Sequence, residues 1–331
     1  MTNIIWVSVG VLLVLGGLIL FVPLYYKWRK LWQKELVEDS LKLMADNQQQ
    51  GIRTSPNSLG GALNLKQSKV MQLLESMESQ GLVETRGSEV LLTPEGERWA
   101  LHIVRAHRLW ERYLADEARM PLEKVHGEAH HREHGMSDAA LDAMDASMGY
   151  PLHDPHGDPI PTRDGKMPEV QGKPVTAWSE GMPLKIIHIE DEPPIAYAQI
   201  SAEGLKLGQT IRILKKSQDR YILTDGENEF RLAPAVAANI SAISAVEKTE
   251  GPAGIISLAE LEHGQKAEIV SLDDSVQGFT RRRFLDLGLT PGTVVAPELK
   301  NSFGDPRGYR VRGTLIALRK EQAAKIFIKT V

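Results

Sequence analysis

The chain contains no cysteine. That excludes disulfides and thiolate metal ligands, and leaves His, Asp and Glu as the strong side-chain ligands. Net charge is also small: 39 Lys and Arg against 43 Asp and Glu give −4, so no chain-wide basic field points to nucleic acid. There is no glycine-rich nucleotide loop and no nucleophile–base arrangement, which argues against an enzyme. Residues 1–26 lack any charge, and residues 4–24 are almost wholly apolar. About 20 such residues are enough to span a bilayer as a helix. Nothing basic precedes the run, whereas Lys27, Arg29, Lys30 and Lys34 follow it. That order is wrong for a signal peptide and retains the downstream side in the cytoplasm. The expectation is a single-pass anchor with its basic flank over residues 1–34, in the inner (cytoplasmic) membrane, with the body of the chain in the cytoplasm.

What is present falls into several modules, as 331 residues require. Residues 35–47 predict a helix with Leu36, Leu41, Leu43 and Met44 on its apolar side, ended by Gly51. Ser55 followed by Pro56 is an N-cap with proline in the first turn. Over residues 66–80, Val70, Leu73, Leu74 and Met77 fall at i, i+3, i+4 and i+7, the signature of one helix face. Gly81 ends that helix, and apolar residues 82–83 and 90–92 flank a turn at Arg86 and Gly87. Three helices and a hairpin in this order predict a winged helix-turn-helix over residues 35–97. Such a module sets its second helix into the major groove. The face so placed offers Lys66, Gln67, Ser68, Lys69 and Gln72, with Arg53 and Arg86 for phosphates. The expected partner is a double-stranded DNA operator, read by a homodimer. A winged helix used for protein contact is the alternative.

The acid excess lies in residues 101–180, which also hold eight of the ten histidines. Thr93 and Pro94 open a long helix to about residue 116, on which His107 and Glu111 share a face. A further helix carries His126, His130, Glu133 and His134 at spacings of four, three and four, which predicts one stripe. Histidines and carboxylates on successive turns suit a first-row transition ion.

At this point the sequence resembles a known family. Arg105, His107, Arg108, Leu109, Glu111 and Arg112, then Val125, His126, Glu128, His130, His131, Glu133, His134, Met136, Ser137 and Asp138, look like the metal-binding and dimerisation domain of the diphtheria-toxin-repressor family. Pro155, His156 and Gly157, followed by Asp158, Pro159, Ile160 and Pro161, resemble the loop that closes it. The resemblance implies an iron- or manganese-dependent regulator with two adjacent metal sites. One would use His130, Glu133 and His134, completed by Asp39 from the winged domain. The other would use His107, Glu111 and His126, joined by an acid from the following barrel such as Glu190. His130 stands where iron-sensing members carry cysteine and manganese-sensing members glutamate, and Lys42 where the latter carry a second acid. Fe2+ or Mn2+ is expected as cofactor, and Zn2+ is also compatible with the donors.

Residues 151–183 hold seven prolines and read as an extended, mobile linker. Behind it lies an internal repeat: Leu205, Gly208 and Ile211 reappear 84 positions later as Leu289, Gly292 and Val295. Short β-rich runs between Gly and Asp turns predict two SH3-like barrels, each with a short helix near its end. The second, around Arg281, Arg282, Arg283, Phe284 and Gly288, resembles the FeoA domain of ferrous-iron uptake systems. Its three arginines offer a basic tooth for an acidic partner surface, or a solvated turn beside a core aromatic.

The expected fold class is thus α+β and multidomain: a single transmembrane helix, a winged helix-turn-helix, a helical metal-binding and dimerisation domain and two SH3-like β-barrels. Beyond the anchor and the winged module, the metal domain takes residues 98–165, the Pro-rich linker 166–183, and the barrels 184–250 and 255–331. The function expected is that of an Fe2+- or Mn2+-dependent DNA-binding transcriptional regulator of metal homeostasis. The alternative is a membrane-bound FeoA-like accessory of a ferrous-iron transporter.

Overall fold

A computed structural model describes residues 32–169, 171–245, 254–273, 275–300 and 304–331. The chain divides into two compact units, one up to Val104 and one from Arg105 to Val331.

The first unit is the winged helix-turn-helix. Helix α1 covers residues 32–49, α2 is Pro56–Ala62 and α3 is Gln67–Ser79. Strands β1 (Val83–Arg86) and β2 (Glu89–Leu92) pair antiparallel, with Val83 opposite Leu92 and Arg86 opposite Glu89. Ser55 caps α2 reciprocally with Ser58, and Pro56 fills its first turn. The four apolar residues of α3 are buried with Val37, Leu41 and Met44 of α1 and with Leu59, Val83 and Val90. Each full burial of this kind contributes about 1.5–3 kcal/mol. Helix α4 (Pro94–Asp116) starts here, its first turn held by Thr93, whose hydroxyl donates to the Gly81 carbonyl at 2.6 Å. Gly96 lets that turn press on the wing: a Cβ there would lie 1.9 Å from the Leu82 carbonyl oxygen.

In the second unit, α4 continues to Asp116, followed by α5 (Leu122–Arg132) and a single 3-10 turn at Glu133–Gly135. An additional helix, α6 (Asp138–Ser147), is capped by Ser137. Ala106 and Leu109 of α4 pack on Leu141 of α6, Met148 and Ile160, while Leu114 packs on Val125 and Ala129 of α5. The segment expected as a mobile linker is corrected in its first third. Pro151, Asp154, Pro155, His156, Pro159 and Ile160 are buried. The Asp154 side chain accepts from the backbone N–H groups of His156, Gly157 and Asp158, which closes the loop on itself.

Two six-stranded sheets follow. The first consists of β3 (Lys173–Pro174), β4 (Pro183–Ile189), β5 (Thr210–Lys216), β6 (Tyr221–Thr224), β7 (Glu229–Leu232) and β8 (Ile240–Ser244), with α7 (Pro194–Glu203) and α8 (Pro234–Ala237). The second consists of β9 (Ile255–Ser257), β10 (Ala267–Leu272), β11 (Val294–Lys300), β12 (Arg307–Val311), β13 (Thr314–Leu318) and β14 (Ile326–Thr330), with α9 (Gly278–Asp286) and α10 (Lys320–Ala323). Their strand orders, β3-β8-β4-β5-β6-β7 and β9-β14-β10-β11-β12-β13, are the same. The bulges coincide as well. One falls between Ile213 and Lys215 and its counterpart between Pro297 and Leu299, 84 residues on. Bulges bend a strand and raise its twist, so each sheet curls around its own core in an SH3-like manner.

The anchor is a correction. Residues 4–24 lie outside the described residues, and among the described residues no helix is long and apolar enough to cross a membrane. The single-pass, inner-membrane placement expected from the N-terminal composition is therefore withdrawn.

Candidate metal centre

Helix α4 presents His107 and Glu111 one turn apart, and both are buried. Across from them, α5 presents His126. His107 Nε2 lies 3.1 Å from Glu111 Oε1 and 3.3 Å from His126 Nδ1, and His126 Nδ1 lies 3.1 Å from Glu111 Oε1. The other nitrogen of His107, Nδ1, meets Glu133 Oε2. A neutral imidazole has one donor and one acceptor, so a ring facing carboxylates on both sides sits where positive charge belongs.

Glu133 does not extend the α5 stripe, as the spacing predicted. The helix ends at Arg132, and Glu133 and His134 ride the 3-10 turn. That turn drives the Glu133 side chain fully inward, so that its Oε1 takes His130 Nδ1 at 3.0 Å while Oε2 takes His107. His134 Nε2 lies 3.6 Å from Glu133 Oε1. Donor atoms of His130, Glu133 and His134 lie within 4.8 Å of one another, as do those of His107, Glu111 and His126. One carboxylate thus joins the two groups.

Sequence reasoning missed a third group, Glu111, His156 and Asp191, which shares Glu111 with the second. His156 is buried, and neither ring nitrogen has a hydrogen-bond partner. Its Nε2 stands 3.8 Å from Asp191 Oδ2. Asp191 also lies 3.0 Å from His126 Nδ1, and Glu192 Oε1 lies 3.2 Å from His126 Nε2. Glu190, the acid expected from the barrel, is not in any of these groups. Its backbone N–H donates to the Asn239 carbonyl, and burial raises its carboxyl pKa. The signal for Asp191 and His156 was the acid run at residues 190–192 and the histidine inside the loop motif.

The electrostatics follow from this crowding. Hydrogen bonds donated to the carboxylates of Asp191, Glu111 and Glu192 push the His126 imidazole up to about 12. Burial alone would raise Glu111, but the charge and hydrogen bond of His107, with help from His126, hold its carboxyl well below the usual carboxylate range. Nearby, Asp158 takes His188 Nε2 at 3.2 Å and Arg108 at 3.4 Å, and the two outweigh its burial to set its carboxyl at about 2.

Does this arrangement fit a dication? The donors are imidazole nitrogens and carboxylate oxygens without a thiolate, a set suited to Mn2+, Fe2+ or Zn2+. A buried histidine with two unpartnered nitrogens beside carboxylates is costly unless something is bound there. The residues fit.

The remaining sequence-predicted residues are placed as follows. Asp39 lies on α1, half-buried, in the first unit. Arg53, Lys66, Gln67, Ser68, Lys69, Gln72 and Arg86 are all exposed on the winged module. Lys69 lies 3.4 Å from Gln72, Arg53 lies 4.0 Å from Glu89 and Arg86 pairs with Glu84 at 2.6 Å. The Arg281–Arg283 tooth is helical, on α9, and Arg281 is buried.

Comparisons with known proteins bear on the family and the fold. Residues 93–162 match the iron dependent repressor, metal binding and dimerisation domain, and residues 256–330 match the FeoA domain. The chain is 30% identical to the Diphtheria toxin repressor of Corynebacterium diphtheriae over 197 residues, covering 55% of this chain and 87% of that protein. It is 32% identical to the Iron-dependent repressor IdeR of Mycobacterium leprae over 128 residues, 38% of this chain. That match spans 56% of the mycobacterial protein, little more than half its length. Among solved structures, a manganese-dependent transcriptional repressor in complex with manganese is similar with a TM-score of 0.58 at 30% identity, covering 63% of this chain and 99% of that one. By sequence along most of a known repressor and by fold, the chain belongs to the diphtheria toxin repressor family.

Proposed function

We propose that the chain is an Fe2+- or Mn2+-dependent DNA-binding transcriptional regulator that acts as a homodimer. The observation that carries this reading is the pair of histidine–carboxylate groups joined through Glu133, in a chain that also carries a winged helix-turn-helix. His107, Glu111, His126, His156 and Asp191 would hold one cation, and His130, Glu133 and His134 another, completed by Asp39 on the strength of the family resemblance. A bound dication would supply the positive charge these crowded carboxylates call for and fix the ligand side chains. Within the reader, α3 would enter the major groove, with Gln67, Ser68, Lys69 and Gln72 toward base edges and Arg53 and Arg86 toward phosphates. The basic residues on that face are few, and two-fold pairing doubles them. The relatives are repressors, which favours this reading over a transporter accessory. No step calls for an enzyme.

The test is operator selection from random DNA with and without Mn2+ or Fe2+, repeated with Asp39→Ala and His134→Ala. Specific DNA is expected only with metal and only in the parent chain. Selection that is indifferent to metal, or as strong in both variants as in the parent chain, would remove the reading.

A further inference from the structure

The FeoA-like sheet supplies no metal ligand among the described residues, yet it grips the elements that do. Its β10–α9 loop and the start of α9 meet α4 one residue beyond Glu111. Arg112, wholly buried, donates through Nη2 to the Val276 carbonyl at 3.1 Å and lies through Nε 2.7 Å from Asp116 Oδ2. Through Nη1 it reaches the Asp154 carbonyl at 3.5 Å. The Gly278 N–H donates to Asp116 Oδ1 at 2.6 Å, and Arg281 Nε lies 3.7 Å from Asp116 Oδ2. Arg281 Nη2 also donates to the Met148 carbonyl at 3.1 Å. Gln277 Nε2 donates to the Pro155 carbonyl at 3.4 Å, on the residue that precedes His156. At the rim, Arg282 pairs with Glu117 at 3.0 Å. Two arginines thus surround one buried aspartate, in a setting where charges are poorly screened and geometry is tightly held.

The same topological position does different work in the first sheet. There, the β4–α7 loop carries Asp191 and Glu192 directly to His126. In the second sheet the equivalent loop reaches the backbone of residue 155 and the charged pair behind Glu111.

From this arrangement we infer that the FeoA-like sheet is a positioning element for the metal cluster. Through Arg112, Asp116 and Gln277 it sets the pose of Glu111 on one side and of His156 on the other, without touching the ion. Arg281 and Gln277 are its positioning residues. The inference rests on the metal-binding reading of that cluster. Outer partners of this kind commonly govern ligand orientation, and their loss weakens metal binding about 10–100-fold.

The experiment uses the full chain, with Mn2+ alone as probe and free Mn2+ read by its solution EPR signal. In a His134→Ala background the titration reports the cluster of Glu111 and His156. In a His126→Ala background it reports the group of His130, Glu133 and His134. Gln277→Ala and Arg281→Ala are expected to weaken Mn2+ about 10-fold or more in the first background and to leave the second unchanged. Arg281→Lys should recover part of the loss. Amide exchange of residues 149–158 should quicken in the metal-free variants. Unchanged affinity in the first background, or an equal fall in both, overturns the inference while leaving metal binding intact. A parent chain that binds no Mn2+ overturns the metal-binding reading itself, and the inference with it.

Discussion

The two SH3-like sheets have one strand order and corresponding bulges, yet among the described residues only the first brings carboxylates to the histidine cluster. The difference lies in one loop. After β4 the chain offers Glu190, Asp191 and Glu192, and after β10 Asp273, Asp274 and Ser275. Asp191 and Glu192 meet His126, whereas Asp273 is taken by Lys185 Nζ at 3.2 Å and by the Ser275 hydroxyl. Duplication preserved the packing pattern, which depends on alternating apolar residues and is indifferent to loop chemistry. A shared fold therefore says little about a shared site.

The largest effect is expected where both groups meet. Glu133→Ala removes the carboxylate that holds His107 and His130, and should cut Mn2+ affinity by more than about 100-fold, beyond what outer partners alone achieve. Calorimetric titration would show it, and retention of either group at full strength would refute the joint role. Next comes a contrast within the first sheet. Asp191→Asn should weaken Mn2+ at the Glu111 cluster about 10–100-fold, while Glu190→Gln should leave it unchanged. The reverse order would restore the acid that the sequence alone suggested.

A third pair of variants compares how each sheet meets the metal domain. A Cβ on Gly157 would lie 2.1 Å from the Ile187 carbonyl oxygen of the first sheet, at φ +98°. Backbone cannot step aside, so Gly157→Ala should cost about 3 kcal/mol in chemical unfolding. A Cβ on Gly149 would meet only the Leu285 side-chain tip of the second sheet, at 2.6 Å and φ +70°. A leucine can rotate, and the cost there should be nearer 1 kcal/mol, mostly from the left-handed backbone. Equal costs would mean that the two contacts are alike.

The smallest effect is a pH dependence peculiar to the first sheet. Asp158, held at about 2 by His188 and Arg108 against its burial, has a folded pKa below the ordinary 3.8. Its contribution is complete above that ordinary value and is lost as pH falls from about 4 toward 2. On the order of 1–2 kcal/mol should vanish there, and His188→Ala should flatten that part of the acid unfolding curve. An unflattened curve would detach the pair from stability.

Much of this was legible in the sequence. The i, i+3, i+4, i+7 spacing of Val70, Leu73, Leu74 and Met77 sets the buried face of α3, and Thr93 with Pro94 marks the start of α4. The His107–Glu111 spacing was enough to bring those two side chains together, because a helix fixes its own geometry. What escaped depended on local irregularity. The run from His126 to His134 reads as one helix, but the chain tightens at Arg132 and turns Glu133 inward. Glu190 was suggested by the resemblance alone, and Asp191 and Glu192, which lie beside His126, follow the end of β4 at Ile189, where strand alternation no longer says which side a residue faces. His156 sat in a proline-rich stretch whose composition suits both an extended linker and a tight loop. Asp154, accepting three backbone N–H groups, decides for the loop.

The buried Arg112–Asp116–Arg281 arrangement bears on how the chain can be cut. Repeats invite truncation at their seam, and a fragment ending near residue 245 would look self-sufficient on paper. Such a fragment would strip Asp116 of its Gly278 and Arg281 neighbours and open Arg112 to water. What is severed is then half of an interior, and the shortened protein would report the damage of the cut rather than the properties of the metal domain.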